Sequence, residues 1–193
     1  TRLDSIKPPI DFIQFVPNFL LNEQLINLKE SLKSKDFLKA FMPEPFLERG
    51  PNSEDFRTAE LPAGNGHGTA SGLAKLFGIL SNGGSRDGKE IISESTLNNA
   101  IKVHSSGPDT VLFGVKLNFG YCFMLEGNKK SNINFAPIFY KGTFGHAGIG
   151  GSVAFGDRKN KLGYSFVCNK QQKSSNLYKT SNMLTKALYD LIG

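Results

Sequence analysis

The stretch Thr143-Phe144-Gly145-His146-Ala147-Gly148-Ile149-Gly150-Gly151-Ser152-Val153-Ala154-Phe155-Gly156-Asp157-Arg158-Lys159-Asn160-Lys161-Leu162-Gly163-Tyr164-Ser165-Phe166-Val167-Cys168 decides how this chain folds. Leu162, Tyr164, Phe166 and Cys168 recur at every second position, the period of a strand with one apolar face. Residues 144–155 are glycine-rich and β-like. Asp157-Arg158-Lys159-Asn160 carries turn chemistry, so 153–155 and 162–167 read as a hairpin. Upstream, Val115, Leu117, Phe119, Tyr121, Phe123 and Leu125 also alternate, and the spacing predicts one strand over 115–125. The segments 115–125, 144–155 and 162–168 are expected in one antiparallel sheet.

Helical periods flank these strands. Ala70, Leu73, Ala74, Phe77 and Leu80 form one apolar face of a helix over 69–80, stopped at Asn82-Gly83-Gly84. Ser93 opens a short helix with Leu97 and Ile101 inward. The chain closes on a helix with Leu177, Leu184, Leu188 and Leu191 inward and Lys179 and Lys186 outward, its start capped around Ser174-Ser175-Asn176. Further upstream, Leu21, Leu25, Leu28 and Leu32 sit at helical spacing within 18–41, after a proline-rich lead-in holding Pro8, Pro9 and Pro17. Pro43, Pro45, Gly50, Pro51 and Pro62 interrupt 42–66 and mark the internal boundary. We therefore expect an N-terminal helical and irregular segment over 1–55 and a second unit over 56–193. Strands gathered in the C-terminal half, joined by a hairpin and flanked by helices, predict an α+β fold rather than a doubly wound parallel sheet.

The 193 residues are 39% apolar and 21% charged, a globular balance with enough chain for a real core. No apolar run approaches the roughly 18–20 residues of a membrane span. Two cysteines, Cys122 and Cys168, are too few for a disulfide scaffold and read as buried free thiols on strands. With three scattered histidines and no Cys-x-x-Cys, neither a metal nor a cofactor is expected. The net charge of +6 is uneven: residues 1–62 hold 8 Lys/Arg against 10 Asp/Glu, and 63–193 hold 15 against 7. The surplus falls in polar punctuation such as Lys129-Lys130 and Arg158-Lys159, not on a basic stripe with interleaved aromatics, so nucleic acid is not the expected partner. The chain starts at Thr1 without a basic-then-apolar leader, and the expectation is that either an N-terminal part has been removed or the chain is cut from something longer. Its compartment stays open.

Hydrolase templates mostly fail on this chain. Gly150-Gly151-Ser152-Val153-Ala154 lacks the closing glycine of a nucleophile elbow, and a strand follows where a helix belongs. Acidic residues are sparse after position 95, which leaves no carboxylate pair for glycosidase-type work. Gly64-x-Gly66-x-Gly68 has no preceding strand and reads as a turn. His67 before the first helix and His104 in a polar loop carry no chemistry by spacing. The segment 143–152 is different. Its glycines leave a backbone edge open to close approach by a ligand, and His146 at the strand start is placed to polarise or orient one. On spacing alone, a strand packed tightly on a neighbour with His146 half-buried is an equal reading.

Several segments, taken in order, resemble the serine β-lactamase-like family, which includes class C β-lactamases, penicillin-binding proteins, carboxylesterases and animal β-lactamase-like proteins. They are Phe56-Arg57-Thr58-Ala59-Glu60-Leu61-Pro62, Asn65-Gly66-His67-Gly68-Thr69-Ala70, Leu80-Ser81-Asn82-Gly83-Gly84, Gly88-Lys89-Glu90-Ile91-Ile92-Ser93, Phe119-Gly120-Tyr121, the stretch from Phe144 to Ser152, Phe155-Gly156-Asp157 and the run from Leu162 to Asn169. The resemblance covers about residues 56–193 and implies an incomplete serine β-lactamase-like fold, an antiparallel sheet with flanking helices. It also implies that His146-Ala147-Gly148 is the family's Lys-Thr-Gly or His-x-Gly element on the strand edging the active site. His146 would then be catalytic, Gly148 would line the substrate, and the N–H of Ile149 would be one of two oxyanion-hole donors.

The departures shape the functional expectation. No serine has lysine three positions on, and no tyrosine has asparagine two positions on. Ser174-Ser175-Asn176 fits Ser-x-Asn but follows the His-x-Gly element, whereas the family places it before. The expectation is the C-terminal segment of a serine hydrolase-like protein acting on an amide or ester by acyl transfer, without its Ser-x-x-Lys nucleophile and inactive alone. The alternative is a non-catalytic interaction or scaffold module that associates with itself or pairs with a missing N-terminal part.

Overall fold

The alternation in 143–168 sorts side chains onto two faces of a sheet, and a helix covers each face. The computed structural model describes residues 53–109, 116–126, 137–148, 150–170 and 177–193. In chain order these form α1 (Glu54–Thr58), α2 (Ala70–Ser81), β1 (Ser85–Arg86), β2 (Lys89–Glu90), α3 (Glu94–Ala100), β3 (Ser105–Pro108), β4 (Lys116–Phe119), β5 (Met124–Leu125), β6 (Thr143–Ala147), β7 (Val153–Asp157), β8 (Leu162–Phe166) and α4 (Lys179–Ile192). Strands β3 to β8 make one six-stranded sheet in sequence order, every neighbouring pair antiparallel.

Both α2 and α3 start on a side-chain N-cap, at the residues where the sequence reading opened these helices. Thr69 Oγ1 accepts the Gly72 N–H at 3.0 Å, and the Ser93 hydroxyl accepts the Thr96 N–H at 3.2 Å, filling donors that a helix start leaves open. On one face of the sheet, Phe144 and Ala154 pack with Phe77 and Leu80 of α2 and the fully buried Leu97 of α3. On the other, Val153 and Phe155 pack with Met124, Phe139, Leu177 and Tyr178 at the start of α4. Strand β7 is buried along its whole length. It lies between β6, in the register Gly145↔Phe155, and β8, in the register Phe155↔Tyr164.

The hairpin through 157–160 forms as expected. The buried Asp157 carboxylate accepts the Asn160 N–H at 3.0 Å, the Asn160 Nδ2 amide at 2.8 Å and the Tyr189 hydroxyl of α4 at 2.6 Å. One carboxylate thus closes the turn and ties it to the last helix.

Four expectations are corrected. Residues 116–125 are two strands, not one: β4 folds back on β5 with Phe119 opposite Met124. A side chain at Gly120 would run into the Ala100 carbonyl, and Cys122 sits at φ 62°, so the chain turns where the alternation continues. The glycine-rich run 144–155 is likewise two strands, β6 and β7, with a turn between them. The helix α4 presents Ser181, Asn182 and Thr185 to the sheet, with Leu188 and Tyr189 alongside, while Leu184 and Leu191 are exposed, Leu191 at 85%. Its N-cap is Tyr178, without a side-chain cap bond, and 174–176 lie outside the described residues. Both cysteines are free thiols that lie off the strands, and Cys122 is exposed. Three short strands, β1, β2 and β3, were not expected at all. Residues 1–52, including the predicted 18–41 helix and nearly all of the 1–55 segment, are outside the described residues.

Candidate functional site

The site expected from 143–152 begins where β6 runs past its partner. Strand β5 covers only Phe144 and Gly145, through Leu125 and Met124. Among the described residues, His146 and Ala147 therefore have β7 on one side and no strand on the other. The His146 side chain is exposed, so the reading of a half-buried packing histidine is set aside. Its Nδ1 lies 2.9 Å from the Ala147 carbonyl oxygen. A carbonyl only accepts, so Nδ1 carries the proton of this bond, and in the neutral ring Nε2 is left as an acceptor.

The turn after β6 is held from three sides. The Gly148 N–H donates to the Ser152 carbonyl at 2.8 Å, and the Gly151 N–H donates back to the Gly148 carbonyl at 2.9 Å. The Tyr178 hydroxyl, from the start of α4, donates to the same Gly148 carbonyl at 2.9 Å. Cys168, just past β8, donates its thiol to the Gly150 carbonyl at 3.1 Å and its N–H to the Ser152 hydroxyl at 3.3 Å. Burial, reinforced by the neighbouring Cys168, pushes the Tyr178 phenol well above its ordinary value of 10.0, so it stays a donor. A side chain at Gly150 would meet nothing within 4 Å, which marks open space on the outer side of the turn.

The structure thus brings His146 and Gly148 together at one open strand end. Ile149, the third expected site residue, lies outside the described residues. His67 and His104 do not join them as ring donors to the turn. His104 Nε2 bonds the Asn99 carbonyl at 2.8 Å, and its ring stacks on Tyr121 at 3.8 Å, a role in fixing the loop after α3. Among the described residues, no group of three His, Cys, Asp or Glu is placed to hold a metal ion. No described helix is long and apolar enough to cross a membrane. The part of Tyr178 was missed by sequence reasoning. It stands 30 residues from Gly148, and nothing in its local pattern marks it. The pairing of Ser152 with Cys168, 16 residues apart, is invisible in the sequence for the same cause.

Chemically, this arrangement offers a carbonyl-bearing ligand an exposed imidazole and a clasped glycine turn. Among the described residues, no serine of a Ser-x-x-Lys pair stands beside it. The Ser152 hydroxyl is engaged with Cys168, and the sequence holds no lysine three positions beyond any serine.

Comparisons with known proteins agree on one group. A family model described as Beta-lactamase matches residues 31–186. The esterase/beta-lactamase LipL of Mycobacterium tuberculosis (strain ATCC 25618 / H37Rv) is 34% identical over 115 residues, 58% of this chain and 24% of that protein. A family VIII carboxylesterase of known structure superposes with a TM-score of 0.58 at 31% identity, covering 72% of this chain and 36% of that one. A penicillin-binding protein homologue from Caulobacter crescentus gives 0.57 at 29% identity, covering 76% and 39%. The chain therefore spans between about a quarter and two fifths of the length of these relatives.

Proposed function

Because this chain belongs to the beta-lactamase family, we propose that it carries the His146–Gly148 wall of a serine hydrolase-like site and does not turn over substrate by itself. The reaction class is acyl transfer from an amide or ester, the chemistry that the names of its relatives share. One observation carries the reading: an exposed His146 and a clasped Gly148 turn lie side by side at the open end of β6, in a sequence without Ser-x-x-Lys. Attack on a carbonyl places negative charge on its oxygen, and fixed N–H donors stabilise that charge. In this reading the N–H of Ile149 is one such donor, Gly148 keeps the approach free of side chains, and His146 orients the substrate or accepts a proton through Nε2. The attacking hydroxyl comes from sequence outside this chain.

The 193-residue chain is accordingly expected to hydrolyse neither a chromogenic β-lactam nor a short-chain nitrophenyl ester above background, since loss of a nucleophile removes several orders of magnitude of rate. Ester turnover that a serine-directed phosphonate abolishes would overturn this. Coding sequence upstream of Thr1 with Ser-x-x-Lys followed by Tyr-x-Asn would support the hydrolase reading directly.

A second reading, a self-associating module without catalysis, has its own support. Met183 and Leu184, with Leu191 further along, are exposed on α4, and β8 pairs only with β7 among the described residues. An apolar helix surface and a strand edge without a partner among the described residues both favour contact with another chain. This reading predicts a dimer or larger species burying more than about 1,000 Å² in total. Sedimentation as a monomer of 21.1 kDa at micromolar concentration would remove it.

A further inference from the structure

We infer that the outer edge of β8 pairs with β8 of a second copy of this chain, antiparallel and around a two-fold axis at Ser165. The inference rests on the second reading above, self-association, and names the surface that makes the contact. Antiparallel neighbours bond through alternate residues. The Gly148 N–H bonds the Ser152 carbonyl, so Ser152 and, in the same register, Ala154 and Gly156 turn their backbone groups toward β6. Val153, Phe155 and Asp157 turn theirs the other way, where they meet Phe166, Tyr164 and Leu162 of β8. The alternate residues Gly163 and Ser165, with Val167 just past the strand end, therefore aim N–H and C=O at the outer edge. No strand lies on that side among the described residues.

The two edges of the sheet differ. Folded proteins blunt an open edge with proline, charge or an irregular backbone. The β3 edge is blunted by Pro108, which has no N–H, and by Gly107 at φ 145°. The β8 edge has no such device: residues 162–167 carry no charge, no proline and no positive φ. This edge is also complementary to itself. Gly163 and Ser165 share the sheet face that α2 covers, and Ala154, opposite Ser165, belongs to the core on that face. The Ser165 hydroxyl is buried and, among the described residues, has no hydrogen-bond partner, a state that costs stability. A two-fold axis at Ser165 puts the same serine of the second copy directly opposite, with about 5.5 Å between the Cα atoms. A turn about χ1 then lets one hydroxyl donate to the other across the strands. On the far face the same register sets Tyr164, stacked on Phe155 at 4.9 Å, opposite Phe166 of the copy, an aromatic cross-strand pair. Sliding the register by two residues puts Ser165 opposite Gly163 or Val167 and leaves the hydroxyl unpaired. The contact is isologous and joins the two six-stranded sheets into one.

The test uses the full chain as wild type, Ser165→Pro, Ser165→Ala and Leu191→Lys. In wild type, residue-resolved hydrogen exchange is followed as the protein is diluted from about 100 µM to about 1 µM. The amides of Gly163, Ser165 and Val167 are expected to exchange at least about fivefold faster in the dilute sample, while those of Tyr164 and Phe166, bonded to β7, change far less. Ser165→Pro removes the outward N–H and spares the bonds to β7, so the chain should sediment as a monomer. Ser165→Ala removes only the hydroxyl and should weaken the dimer about fivefold. Leu191→Lys charges the exposed surface of α4 and should leave the dimer intact. A dimer in which the amides of 163, 165 and 167 ignore dilution overturns the inference while self-association stands. So does a dimer that Leu191→Lys dissolves and Ser165→Pro keeps, or one that Ser165→Ala leaves as tight as wild type. A monomer whose 163–167 amides are protected at every concentration marks an edge covered within the chain and overturns it as well. A wild-type monomer at about 100 µM removes the self-association reading and the inference together. If Ser165→Pro does not fold, the alternation of exchange along wild-type β8 decides by itself.

Discussion

Gly163→Ala is expected to destabilise the chain by about 3 kcal/mol, the upper end of what overpacking a buried position costs. The physical reason is backbone against backbone. Helix α2 crosses β8 so closely that a methyl group at Gly163 would fall within the radii of the Gly78 amide nitrogen and the Ala74 carbonyl, and 2.6 Å from the Gly78 Cα. No side chain can rotate aside, so α2 must lift. Lifting it strains the bond from the Ser81 hydroxyl to the Leu162 carbonyl, 2.8 Å long, and opens the core around Phe77 and Leu80. Urea unfolding reads the effect as a lower midpoint at unchanged slope. Gly66→Ala is the control, since a methyl there meets nothing within 4 Å and should shift stability by no more than about 0.5 kcal/mol. A Gly163→Ala midpoint equal to the control would mean that α2 does not sit on β8 as described.

Asp157→Ala should cost a similar amount, about 3 kcal/mol, because it strands several groups at once. The residue is 1% exposed, and its loss leaves the Tyr189 hydroxyl and the Asn160 amide without their acceptor. The same carboxylate gives stability a pH dependence of known sign. Burial alone raises its pKa, but the hydrogen bonds from Tyr189, from Asn160 and from the Lys159 backbone outweigh it and hold the group below its ordinary 3.8. A carboxyl depressed in the folded state contributes fully above the unfolded value and loses that contribution as pH falls through the folded one. Wild type should therefore lose stability below about pH 3.8 more steeply than Asp157→Asn, which keeps the shape and cannot titrate. Parallel acid profiles for the two proteins would show that Asp157 is not the paired group described.

Much of the architecture was legible where local chemistry and packing agree. Apolar residues at helical spacing, from Ala70 to Leu80 and at Leu97 and Ile101, place the starts of α2 and α3 to within a residue. The hairpin of β7 and β8 was legible because two alternating runs meet at a turn that Asp157 can close by itself. The breaks in 116–125 and 144–155 were not legible. Alternation carries no mark of a tight turn when apolar residues continue through it. At Gly120 the turn is enforced by Ala100, a residue of another element. The orientation of α4 failed for a related reason. Counting leucines finds the most apolar stripe, but the buried face is one whose polar groups find partners: Asn182 Oδ1 takes the Ile138 N–H of the segment before β6 at 3.0 Å, Ser181 bonds the Tyr178 carbonyl at the helix start, and Thr185 bonds Tyr164 of β8.

The candidate site divides along the same line. Sequence by itself determined that His146 and Gly148 stand together and that no Ser-x-x-Lys accompanies them, because adjacency along the chain is adjacency in space, but it put His146 at a strand start, whereas His146 is the last residue but one of β6. Only the tertiary structure decided that β6 outruns β5 at His146, and that Tyr178 and Cys168, 30 and 18 residues from the carbonyls they bind, hold the turn in place. Those partners meet across a sheet and a helix packing, and their spacing along the chain reflects the length of the intervening strands, not the contact they make.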